Sequence, residues 1–223
     1  MKSEANAPRQ PLTKERILEA AVDVADRDGL GALTMRRLGK DLGFEAMAIY
    51  KHVANKEEIL EGMLALVIGQ IEIPEEGADW KEAMRRRAFS VREVLSRHSW
   101  AIELLAASGF AGPAALRYIN AILGNLRSGG FTIEDAAHAF WLLDSYVYGH
   151  VIQETSMPIG ASDETTDPES ILEQDTIDQF SYLVEIRENA QMRSEFSFDS
   201  EFEYGLDLIL EVLELLQRRR ADE

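Results

Sequence analysis

TMRRLGKDLGFEAMAIYKHVANKEEIL, running from Thr34 to Leu60, packs three helix starts and a glycine turn into 27 residues. Thr34 is an N-cap residue, whose hydroxyl can accept a free N–H of the first turn. After it Met35, Leu38 and Leu42 fall on one face at helical spacing. Gly43 breaks that helix and leaves room for a sharp turn. A short helix over 46–52 follows, with Ile49 and Val53 turned inward and Ala46, Met47, Ala48, Tyr50 and Lys51 outward. Asn55 then caps a fourth helix, with Glu58 three residues on in capping-box position. Helix, glycine turn, shorter helix and capped long helix follow the order of a helix-turn-helix. A short helix exposing small residues, an aromatic and a lysine fits the major groove of B-DNA, about 12 Å wide.

Working outward, Thr13 caps a preceding helix. Glu15 lies in its first turn, Ile17, Ala21, Val24 and Ala25 form its apolar face, and Gly29 ends it. The remaining periodic segments also read as helix, so the spacing predicts helices over 13–29, 35–42, 46–52, 56–72, 79–97, 99–107, 112–128, 133–155, 175–191 and 199–219. No alternating β-branched run bounded by turns is present. The expected fold is all-α: an N-terminal three-helix helix-turn-helix head, residues 1–56, and a C-terminal helical bundle that dimerises, residues 57–223. Residues 1–12 read as a short disordered arm without a secretory signal. Residues 156–175, broken by Pro158, Gly160 and Pro168 and rich in acid, read as a mobile loop.

The formal net charge of −17 argues against nucleic acid until its distribution is counted. Residues 1–56 carry ten Lys/Arg against eight Asp/Glu, and residues 57–223 carry thirteen against thirty-two. A basic head on an acidic body can still bind DNA, because phosphate contacts act within about one Debye length, roughly 8–10 Å. The absence of cysteine fits a reducing cytoplasm, and no apolar run is long enough to span a bilayer. There is no cysteine nucleophile, no glycine-rich phosphate loop and no serine elbow, so an enzyme is not expected. His150 and Glu154 stand at i, i+4, a half-site for a metal, and with only four histidines they read as a surface pair; no metal or cofactor is expected. A helical dimeric enzyme or adaptor is the alternative reading, one that leaves the ordered head motif unexplained.

The head resembles the DNA-binding domain of the TetR family of transcription regulators. The resemblance rests on Thr34, Gly43, the run Ile49-Tyr50-Lys51-His52-Val53 and the run Asn55-Lys56-Glu57-Glu58-Ile59-Leu60. It implies that Tyr50, His52 and Lys56 contact phosphates, Lys56 from a helix N-terminus that also favours an anion. It further implies that Glu45, Ala46, Met47, Ala48 and Lys51 face base edges, Lys51 suited to guanine and Ala48 to a thymine methyl. Thr34, Arg36 and Arg37 would approach the backbone. Family members often carry Ser, Thr or Pro where this chain has Ala46 to Ala48, so its hydrogen-bonded base readout is sparse and shape or water carries more of the specificity.

In the body, Phe202, Leu206, Ile209, Leu213 and Leu216 repeat at spacings of four and three, with Leu208, Val212 and Leu215 as a second stripe. Phe140, Leu143, Val147 and Val151 form one stripe of helix 133–155, and Trp141, Tyr148 and Ile152 another. Helices apolar over so wide an arc need partners on two sides. Phe140, Val147, Gly149, Val151, Phe202, Leu206, Ile209, Leu213 and Leu216 are therefore the expected dimer interface, joined across a two-fold axis as a four-helix bundle. The runs 148–154 and 202–209 resemble the tetracycline-repressor branch, which implies an effector cavity. Glu72 and Gln153 stand where that branch's drug-binding members carry a histidine and a magnesium-site carboxylate, which argues against a metal–drug complex. Candidate lining residues for a small apolar effector are Trp100, Leu104, Phe110, Tyr118, Ile122, Trp141, Asp144 and Tyr148. Asp144 interrupts an apolar stripe and needs a partner: a ligand, or Tyr118 or His138. The expected partners are thus palindromic duplex DNA, a second copy of the chain and a small molecule, with helix 56–72 linking head to body.

Overall fold

The computed structural model describes residues 11–75, 77–108, 112–156, 179–189 and 197–221, and every regular element among them is helical. In chain order these are α1 (Lys14–Asp28), α2 (Met35–Leu42), α3 (Ala46–Ile49), α4 (Lys56–Ile68), α5 (Trp80–Arg97), α6 (Trp100–Ser108), α7 (Pro113–Ser128), α8 (Ile133–Ser156), α9 (Ser181–Glu188) and α10 (Phe198–Ala221), with one 3-10 turn at Leu30–Ala32. Helices occur where the spacing places them. α3 stops at Ile49 and α4 at Ile68, each short of expectation, and of the helix expected over 175–191 only Ser181–Glu188 is helical among the described residues. At α4 the Gly69 N–H bonds back to the Ala65 carbonyl at 3.0 Å, and the chain then leaves the helix ahead of Pro74. Phe110, the 157–175 part of the acidic loop and most of the N-terminal arm lie outside the described residues.

The chain clusters into two compact units. The first comprises residues up to Gln70 and Trp100–Leu116, and so contains α1 to α4 and α6. Its caps behave as their residue types dictate. Thr13 accepts from Arg16 N, Thr34 from Arg37 N at 3.1 Å and Asn55 from Glu58 N at 2.8 Å. Glu58 reaches back to the Ala54 N–H at 2.6 Å, one residue before the cap, and is also bound by Lys14. Ile17, Ala21, Leu38, Ile49, Ile59 and Met63 are fully buried and make the core of this unit; burial of each larger side chain stabilises by about 1.5–3 kcal/mol. The helix-turn-helix bend depends on two glycines. Gly43 adopts a left-handed conformation at φ 76°, which a Cβ disfavours. Gly39 lets the turn fold back against its own helix, since a Cβ there would stand 2.7 Å from the Phe44 carbonyl oxygen.

The second unit comprises Ile71–Ser99 and residues from Arg117 onward, and so contains α5, most of α7, and α8 to α10. α5 buries Trp80, Ala83, Met84, Arg87, Ala88, Val91 and Leu95 at spacings of three and four. Three further basic residues on this helix join it to α10 and α8. Lys81 pairs with Glu214, Arg85 with Asp207 and Glu203, and Arg92 with Glu154 and Asp199. α8 and α10 meet closely at Gly205, where a Cβ would collide with the Tyr146 hydroxyl that donates to the Phe202 carbonyl at 2.9 Å.

Candidate functional site

α3 rests on Ile49 and Val53, both buried, and this anchor turns the rest of the segment outward. Met47 is 73% exposed, an unusual position for a methionine, and Glu45, Tyr50, Lys51 and His52 are exposed beside it. Ala46 and Ala48 are half-buried. Lys56 is exposed in the first turn of α4. The sequence-predicted base-facing and phosphate-facing residues thus share one short surface segment. Arg36 and Arg37 part company. Arg36 is exposed, whereas the Arg37 guanidinium is held by Asp41 at 2.9 Å and Asp28 at 2.8 Å. Those carboxylates raise the Arg37 pKa, the Asp41 hydrogen bond most. The Arg37 charge is therefore committed within the head, while Thr34 serves as the cap of α2.

The expected effector-lining residues fall in different places. Trp100 and Leu104 belong to the first unit, where the Trp100 indole donates to Asp26 at 2.6 Å and ties α6 to α1. Trp141 is 57% exposed and lines no interior. Tyr118, Ile122 and Asp144 are buried in the second unit, with Tyr148 half-buried beside them. Asp144 finds neither of its expected protein partners. His138 is exposed, and Tyr118 bonds elsewhere. Arg87 of α5 fills that place. It pairs with Asp144 Oδ1, while the Tyr148 hydroxyl donates to Asp144 Oδ2 at 2.9 Å and Arg87 Nε donates to the Tyr118 hydroxyl at 2.7 Å. The guanidinium also lies over the rings of Tyr118 and Phe140, at 5.2 and 5.6 Å. Burial opposes the Arg87 charge, but the groups around it, Asp144 among them, outweigh that cost and the pKa rises. Burial pushes the Tyr118 hydroxyl up to about 12, so it stays neutral. Burial, and then Asp144, raise Tyr148 as well.

The seam residues expected at a dimer interface lie inside the subunit. Phe140, Val147, Val151, Phe202, Leu206 and Leu213 are all buried within a single chain, and Ile209 and Gly149 are intermediate. Of that set Leu216 is exposed. Of the second stripes, Leu208, Val212 and Leu215 on α10 and Trp141 and Ile152 on α8 are exposed, whereas Tyr148 is half-buried and bonds Asp144; Tyr204 and Leu142 are exposed beside them. Periodicity identified both stripes; within one chain most of the seam is buried and most of the neighbouring stripe is exposed. The His150–Glu154 pair is also occupied. Glu154 binds Arg92 at 2.6 and 3.0 Å, and the His150 ring packs on Phe202 and Phe198. Groups of three or more metal-ligating side chains are absent among the described residues. An open groove of about 380 Å³ on α5, between Glu72, Arg86, Phe89 and Ser90, shares no residue with the expected effector lining.

Residues 17–63 match the family of bacterial regulatory proteins of the tetR type, and residues 73–216 match the tetracyclin repressor-like C-terminal domain. The chain belongs to the TetR family. A transcriptional regulator of the helix-turn-helix type from Saccharopolyspora erythraea is 34% identical over 145 residues, which cover 65% of this chain and 61% of that protein. The transcriptional repressor DrrR1 of Streptomyces coeruleorubidus is 33% identical over 147 residues, covering 65% of this chain and 54% of its own length. The chain thus spans little more than half the length of these curated relatives. The crystal structure of the TetR-family protein ActR of Streptomyces coelicolor, in complex with actinorhodin, superposes with a TM-score of 0.74 and 28% identity over 93% of this chain and 99% of ActR. TetR-family members are transcription factors rather than enzymes. Among the described residues no helix is long and apolar enough to cross a membrane.

Proposed function

We propose that this TetR-family chain is a cytoplasmic transcription repressor that binds a palindromic operator as a homodimer and loses affinity for it when a small apolar molecule enters its body. The observation that carries the reading is the exposed set Met47, Tyr50, Lys51, His52 and Lys56, gathered on α3 and the start of α4. Residues 1–56 read the DNA, and residues 57–223 take the effector and the second subunit. Tyr50, His52 and Lys56 hold phosphates; Lys51 and Glu45 offer the charged contacts to base edges. The DrrR1 relative is named a repressor and ActR is a complex with actinorhodin, which supports a repressor that answers to a small molecule. An effector can act only through different affinities for two conformations of the dimer, one suited to successive major grooves about 34–36 Å apart.

Selection of sites from a random duplex library at stated salt tests this. The expected result is an enriched palindrome with half-sites one helical turn apart, and a large loss of binding for Lys56→Ala and Tyr50→Ala. Folded protein that enriches nothing, or variants that bind as well as the parent, would overturn the reading.

The exposed apolar Met47 leads to a second expectation about that operator. The thymine methyl is the apolar feature of the major groove, so thymines should recur opposite Met47 and its half-buried alanine neighbours. Replacing one of them by uracil removes a single methyl. This should weaken binding about fourfold, from roughly 0.8 kcal/mol per buried methyl-sized group. Equal gel-shift affinity for thymine and uracil operators would remove Met47 from base readout.

A further inference from the structure

The cluster around Arg87 leaves one buried donor atom without an acceptor. Arg87 is 1% exposed, and its Nη1 is buried with no hydrogen-bond partner, although Nε and Nη2 are both engaged. A buried guanidinium nitrogen left unmatched is costly, and native cores seldom retain one without an acceptor. Asp144 does not meet this need. Its Oδ1 takes Arg87 and its Oδ2 takes the Tyr148 hydroxyl. The Tyr118 oxygen is taken by Arg87 Nε. No described protein atom accepts from Nη1.

We propose, building on the effector reading above, that this cluster is the polar contact of the effector site, and that Arg87 Nη1 donates to a neutral carbonyl oxygen on a planar aromatic effector. Three features of the cluster select that chemistry. Arg87 has no acceptor atom, so the incoming group must accept. The Arg87 charge is already matched by Asp144, so a carboxylate would bring an uncompensated negative charge into a buried site beside another carboxylate. A ligand hydroxyl would bring a further donor to a site whose unmatched atom is itself a donor, whereas a ketone brings acceptors alone. A ketone or quinone oxygen has neither fault. The surroundings favour an aromatic body, because the rings of Tyr118 and Phe140 both lie against the guanidinium and Ile122, Leu143 and Val147 are buried on the same helices. Arg87, held by Asp144 and Tyr118, is thus a specificity-determining residue, and Tyr148 is a positioning residue acting through Asp144.

The test uses the full chain and three probes of one shape: 9-fluorenone, fluorene and fluorene-9-carboxylate. Binding is followed by tryptophan fluorescence, and the carbonyl stretch of fluorenone by infrared spectroscopy. The expected result is fluorenone binding at least about tenfold tighter than either analogue, as a hydrogen bond from a charged donor requires, with its carbonyl stretch moved to lower frequency than in an apolar solvent. In the paired variant Arg87→Met/Asp144→Leu, which removes both charges together, the preference for the ketone should vanish while fluorene still binds. If that variant does not fold, Arg87→Lys keeps the cation and removes Nη1, and it should lose the preference too. Equal affinity for fluorenone and fluorene would overturn the proposal and leave a body that binds apolar molecules, as it would if ordered water satisfied Nη1. Tightest binding of the carboxylate would overturn it in favour of an anion. Failure of all three probes to bind would overturn the ketone assignment, whereas the effector reading itself stands or falls on whether any small molecule releases the selected operator.

Discussion

Arg87→Met alone is expected to destabilise the protein by about 3–5 kcal/mol, the usual cost of leaving one member of a buried ion pair without the other. Arg87 and Asp144 have side chains 1% and 2% exposed, so water cannot replace the lost partner without opening the core. The paired change Arg87→Met/Asp144→Leu should recover most of the loss, because an apolar pair of suitable volume replaces the ion pair at small cost. Urea unfolding of the three proteins at pH 7 measures this. A single variant that loses less than about 1 kcal/mol would mean that Asp144 does not depend on Arg87 for a partner.

The head was legible in the sequence because its determinants are local. Thr13, Thr34 and Asn55 each cap the helix they precede, and Gly29 and Gly43 both take positive φ at helix ends. Such signals need only a few neighbouring residues. The commitment of Arg37 was harder to see, because one of its partners, Asp28, lies nine residues away across the turn. The body was legible as helices but not as faces. Two adjacent apolar stripes on α10 give the same periodicity whichever one turns inward, and that choice depends on the helices packed against it. α5 shows the same limit. Its run Met84-Arg85-Arg86-Arg87 holds three consecutive arginines, and Trp80, Met84, Arg87, Val91 and Leu95 share the buried spacing. That spacing was the available signal: Arg87 sits in register with the core residues and Arg85 does not.

The outward stripes of α8 and α10 lead to the other large expected effect. Leu208 and Val212 on α10 are 47% and 54% exposed, one helical turn apart, with Tyr204 and Leu215 continuing the line. On α8, Trp141 and Ile152 stand eleven residues apart, three turns on one face. An apolar surface of this kind on a strongly acidic body marks an association site, and an interface between identical subunits must be self-complementary. Leu208→Glu/Val212→Glu would bring four carboxylates to the two-fold axis. The expected outcome is a monomer by analytical ultracentrifugation with helical content unchanged, since each side chain is about half in water within a single subunit and the inward seam of Phe202, Leu206 and Leu213 is untouched. Operator affinity should fall by about 10²–10⁴, the advantage lost when two linked half-site contacts become one. A variant that stays dimeric would place the interface elsewhere. A folded monomer that binds the full operator as tightly as the parent would separate dimerisation from DNA recognition and overturn the two-fold reading of the operator.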